Sequence, residues 1–145
     1  MRYLKLMLLF LTISCANKND KYVVVPNENV DQEKLAFAKL ISHKLLSAQS
    51  KGGYYQLTKE EATSRMVAGL NEEKQLSSYE EISGMYGNYQ DLQFHQLLKR
   101  KDGILYETYR FKGKFTSEAK VEIRTTLDGN GKLKGFFILN WRDNI

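Results

Sequence analysis

Residues 119–142 read AKVEIRTTLDGNGKLKGFFILNWR. Ala119, Val121, Ile123, Thr125 and Leu127 alternate with Lys120, Glu122, Arg124 and Thr126, which is the period of two of a strand with one wet face. Asp128-Gly129-Asn130-Gly131 is a hairpin turn, because Asn and Gly accept the positive φ that tight turns require. Leu133, Phe137, Leu139 and Trp141 then lie on one side of a second strand, with Phe136, Ile138 and Asn140 on the other. The same period runs backwards. Leu105, Tyr109 and Phe111 alternate with Tyr106, Thr108, Arg110 and Lys112. Before the Lys101-Asp102-Gly103 turn, Leu92, Phe94, Gln96 and Leu98 alternate with Gln93, His95 and Leu97. This predicts four consecutive antiparallel strands joined by short turns. Val121, Ile123 and Leu127 are expected to face the core, and Lys120, Glu122 and Arg124 to face water. Phe136 and Ile138, on the opposite phase from Phe137, Leu139 and Trp141, are expected to meet a second copy of the chain or the amino-terminal tether.

Upstream of Leu92 the period becomes helical. In 31–50, Phe37, Ile41, Leu45 and Ala48 recur at helical spacing, with Asp31 as cap and Gly52-Gly53 as stop. Thr58 and Glu61 form a capping box. Leu76, Tyr79, Ile82 and Tyr86 share the face of a further helix that loosens at Gly84 and Gly87. The acidic pairs Glu60-Glu61, Glu72-Glu73 and Glu80-Glu81 belong to first turns, where the helix dipole favours them. Adjacent helical residues do not face each other, so these pairs are not catalytic dyads. Helices first and strands afterwards predict an α+β domain, with amino-terminal helices packed on a curved, cone-like four-stranded antiparallel meander over 31–145.

The chain has 145 residues, 22 Lys plus Arg, 17 Asp plus Glu, two His and one Cys. That length supports one ordinary domain. A single Cys excludes an internal disulfide and multi-Cys metal sites. Neither a Gly-rich phosphate loop nor Ser–His–Asp spacing is present. His43 lies off the apolar stripe of its helix, and His95 falls on the polar phase of its strand. Lys99-Arg100-Lys101 reads as a solvated hairpin tip. No metal and no cofactor is expected.

Residues 1–15, MRYLKLMLLFLTISC, join a positive start (Arg2, Lys5) to a short apolar run and a small residue, Ser14, before the sole Cys. The run is far shorter than the ~20 apolar residues of a spanning helix. The small residue followed by Cys15 resembles the lipobox of bacterial lipoproteins, with Thr12 where the usual Leu stands. That resemblance implies cleavage after residue 14, lipidation of Cys15, and a place in the bacterial cell envelope, on the outer membrane facing the periplasm. Loss of residues 1–14 removes Arg2 and Lys5 and lowers the formal charge from +5 to +3. So mild a charge gives no argument for nucleic acid. Residues 15–30 then form a lipidated tether, or its Val23–Val25 cluster docks as an edge strand limited by Pro26.

The helix carrying Tyr79, Ile82 and Gly87, followed by long strands ending in DGNGKLKGFFI at 128–138, is similar to the nuclear transport factor 2-like and cystatin-like cone folds. Within them it resembles small bacterial domains catalogued as domain of unknown function 3887, with Tyr79 in place of an expected Trp. The resemblance implies a fold and a pocket, not a reaction. Tyr79, Tyr86, Tyr109 and Trp141 are the aromatic candidates to line that pocket, although a domain of this size also needs such bulk for its core. The leading expectation is a lipid-anchored, non-catalytic module binding a small ligand or an envelope protein. The alternatives are a pocket-bearing enzyme and a dimerising structural or inhibitory protein that uses its sheet face.

Overall fold

The structure is a computed structural model that describes residues 21–143. Strand β1 (Tyr22–Val25) leads through a single 3₁₀ turn to helix α1 (Gln32–Ser50). Three short helices follow: α2 (Ser64–Gly69), α3 (Glu72–Ser77) and α4 (Tyr79–Tyr86). Strands β2 (Tyr89–Arg100), β3 (Glu107–Phe115), β4 (Val121–Leu127) and β5 (Leu133–Asn140) complete the chain. All five strands form one antiparallel sheet in the order β1-β2-β3-β4-β5. The α+β class and the change of period near residue 90 are as expected. The sheet has five strands rather than four, because Val23–Val25 docks. Tyr22 pairs with Arg100 and Val25 with Leu97. Pro26 ends that edge, having no N–H to offer a ladder.

Local chemistry sets the helix boundaries. The Asp31 carboxylate accepts from the amides of Glu33 (3.0 Å) and Lys34 (3.1 Å) and opens α1. The buried face of α1 is Ala38, Ile41, Ser42, Leu45, Leu46 and Gln49, so the stripe sits slightly round from the expected one, and Leu40 is exposed. The small residues explain the rotation. Ala38 and Ser42 let the helix approach β4, where the Ser42 hydroxyl meets that of Thr125 at 2.5 Å and bonds to the Ala38 carbonyl at 2.6 Å. Thr58 and Glu61 do exchange reciprocal bonds (3.2 and 3.3 Å), but they close a turn. Helix α2 starts later, where the Thr63 hydroxyl accepts from the amide of Met66.

Two irregularities revise the expected sheet faces. In the β4–β5 hairpin, Leu127 pairs with Leu133 and Thr126 with Gly135, so one extra residue sits on β5. A bulge of this kind reverses the phase beyond it. Leu133 therefore points inward together with Phe136 and Ile138, which stand opposite Thr125 and Ile123. Leu139 and Trp141 take the other face, and Phe137 stands exposed at the β5 edge of the sheet. The expectation that Phe136 and Ile138 face outward towards a second copy or the tether is thus corrected: they pack under the helices. In β2 the shift falls between Phe94 and Gln96, which places Leu97 opposite Tyr109 in the core and His95 on the outer face. Val121, Ile123 and Leu127 are buried as expected, whereas Glu122 is buried too, not solvated.

Candidate functional site

Helices α1, α3 and α4 do not close fully over the β5 end of the sheet. A cleft of about 260 Å³ remains between them. Its floor is Phe136 and Ile138 from β5, and its walls are Leu45 and Leu46 from α1 with Ile82 and Met85 from α4. Met85 and Phe137 stand exposed at its lip (51% and 55%). Gly87, at φ +76°, turns the chain away, and a Cβ there would lie 2.1 Å from the Thr116 hydroxyl oxygen.

Few polar groups enter this cleft. The Gln75 amide is fully used as a brace: it donates to the carbonyls of Tyr55 and Leu70 (2.8 Å each) and accepts from the Tyr55 amide (2.9 Å). Gln49 donates to the Tyr79 carbonyl at 3.5 Å. Glu81 is the charged residue on the rim. The remainder of the lining is apolar apart from Ser78.

The other face of the sheet carries a buried ion pair. Arg110 and Glu122 have fully buried side chains, and the guanidinium donates twice to the carboxylate at 2.8 Å each. Arg110 also donates to the Arg142 carbonyl at 2.6 Å, and Arg124 donates to Glu122 from the partly exposed side. Residues 141–143 fold back over this pair. The Trp141 ring lies 4.9 Å from the Arg110 guanidinium carbon and 4.8 Å from the His95 ring. Arg110 Nη1 is buried without a hydrogen-bond acceptor. The electron-rich indole face against the guanidinium supplies part of what an acceptor would. Burial tends to raise the Glu122 carboxyl, but the bonds from Arg110 and Arg124 outweigh it and hold the group below the usual carboxylate range. Burial, with Arg110 and Lys112 adding repulsion, lowers His95.

The expected pocket aromatics do not converge. Tyr79 is half-buried on α4 beside Gly52. Tyr86 is buried at the end of α4 and donates to Asn140 at 3.0 Å. Tyr109 lies in the core against Phe94 and donates to Glu107 at 3.2 Å. Trp141 is on the opposite face of the sheet. Cys15 lies outside the described residues. The imidazole of His43 meets the Tyr89 hydroxyl at 2.9 Å. Burial, helped by Asp91, pushes that hydroxyl up to about 12, so it stays protonated at neutral pH. Among the described residues, no cluster of His, Cys, Asp or Glu could hold a metal ion, and no helix is long and apolar enough to cross a membrane. No protein-family profile, curated protein or solved structure matches the chain.

Proposed function

We propose that the chain is a lipid-anchored binding module of the bacterial cell envelope, tethered through Cys15, whose ligand is a small apolar molecule held in the cleft between α1, α4 and β5. The observation that carries the reading is the cleft itself, with apolar floor and walls and an open lip at Met85 and Phe137. At about 260 Å³ it falls just below the roughly 300–1,000 Å³ of drug-sized sites, which favours a compact ligand. The resemblance to the cone folds, in which a curved sheet wraps the helices, supports such a pocket. The signal-like stretch ending at the sole Cys supports the anchor, since two or more acyl chains hold a protein firmly on a membrane where one does not.

The test uses N-phenyl-1-naphthylamine, an uncharged apolar dye. The full chain should bind it saturably at one site, and Met85→Glu, at an exposed lip position, should weaken binding at least tenfold without changing the thermal melt. Dye binding that ignores Met85→Glu contradicts the site.

A further inference from the structure

A second hollow, of about 380 Å³, opens at the end of the sheet where β3 turns into β4. Lys112, Lys114 and Lys120 line it, with the Trp141 indole as a wall and Ser117 on the rim. Among the described residues, none of these ammonium groups is within ion-pair distance of a carboxylate. The one acid in the lining, Asp143, is held by the Trp141 indole N–H at 2.8 Å. In the lining three cations stand against one carboxylate; Asp91, opposite Lys114, and Glu122, opposite Lys112 but bound by Arg110 and Arg124, flank it, and the balance stays positive.

The rim is fixed rather than loose. The Thr116 amide donates to the Asn88 carbonyl (2.9 Å) and the Ser117 amide to that of Tyr86 (3.2 Å). The Asn88 amide donates to the Thr116 hydroxyl at 2.9 Å. The Ser117 oxygen accepts from the Ala119 amide (3.3 Å), which leaves its O–H to donate elsewhere. The donors are lysine point charges and a hydroxyl, with no arginine fork in the lining. Such a set suits the near-spherical charge of a phosphate better than the planar bidentate edge of a carboxylate.

We propose that this hollow is a binding site for the phosphate group of a small soluble molecule. The soluble source rests on the anchoring proposed above. β1 enters the sheet at Tyr22, opposite Arg100, whereas the hollow adjoins the Gly113–Val121 pair at the far end of β3. Nine residues of strand separate those ends by roughly 25–30 Å, so the hollow lies at the end of the sheet remote from where the chain enters β1.

Trp141 is the sole tryptophan, so its emission reports on the hollow directly. The full chain is reconstituted in phosphatidylcholine vesicles and titrated with inorganic phosphate at constant ionic strength, with chloride as control. Phosphate should change the emission saturably and chloride should not. The double variant Lys114→Gln/Lys120→Gln should weaken the phosphate response at least tenfold, and Lys39→Gln, on α1, should leave it unchanged. These lysines are exposed, so matched melts will show that the variants fold. A response shared by chloride, or kept by the double variant, overturns the site. Adding phosphatidylglycerol to the vesicles should not reproduce the phosphate response. If it does, the source is a lipid headgroup and the soluble assignment falls. The phosphate arm does not depend on the anchor, so its failure is separable from a failure of membrane attachment.

Discussion

Replacing Arg110 by Met removes the guanidinium and keeps most of the side-chain volume. In the folded protein Glu122 then stays buried, losing two 2.8 Å bonds and keeping only Arg124, whose side chain is 26% exposed. Breaking a buried ion pair from one side costs about 3–5 kcal/mol, because a charge is left without compensation. Arg124 remains, so the low end, about 3 kcal/mol, is expected. Arg110→Met/Glu122→Leu removes both charges and should recover about 2 kcal/mol of that loss, since well-packed apolar replacements of buried pairs are often neutral. Full recovery is not expected. The Arg142 carbonyl loses its donor, and Trp141 loses a cation–π partner worth roughly 0.5–2 kcal/mol. Urea denaturation of the chain and three variants (the two singles and the double) gives the coupling directly. If the double variant is no more stable than Arg110→Met, the pair is not the closed unit described above. A cost below 1 kcal/mol for Arg110→Met would equally refute it.

The same carboxylate fixes a pH dependence. Its folded value lies below the ordinary 4.5, so its contribution is complete above about that pH and is lost as pH falls through the lower folded value; acid melts of Glu122→Gln should lack that component. Ile123→Asp should unfold the domain, since a lone charge would enter a fully buried site. Arg124→Asp, at a position the alternation assigns to water, should also destabilise by about 1–3 kcal/mol, because it sets a second carboxylate beside Glu122. Gly87→Ala should lower the melting temperature by several degrees, its Cβ meeting the Thr116 hydroxyl at a positive φ. Cys15→Ala should move the chain from the membrane pellet to the soluble fraction, and a product that stays wholly in the pellet contradicts lipid anchoring.

Periodicity carried most of the architecture. The change from helical spacing to alternation located the strands, and Asp31 and the Asp128–Gly131 turn behave as their chemistry requires. Alternation fails where a bulge resets the phase. β5 is apolar on both phases, so nothing in its composition tells which side is inner until the extra residue after Leu133 is counted. The Arg110–Glu122 pair was hidden for a related reason. Both residues fall on the polar phase, and only the fold-back of Trp141–Asp143 turns that face into an interior. The cleft was half legible. The fold resemblance implied a pocket and the aromatic bulk a core; Tyr86 and Tyr109 went to the core, while Leu46, Met85 and Phe136, which line the opening, carry no polar signal to single them out.

The proposed function stands or falls on an apolar ligand entering the cleft. Of the four methionines, Met85 lines the cleft and Met66, on α2, packs against the cluster of Ile41, Leu57 and Leu133, while Met1 and Met7 belong to the signal-like stretch. Carbon-13 labelling of the methionine methyls therefore places one probe inside the site and one outside it. Titrating the chain with a short uncharged alcohol such as 1-decanol should shift the Met85 methyl saturably and leave Met66 in place. A Met85 signal that does not move, or that moves together with Met66, would contradict the account.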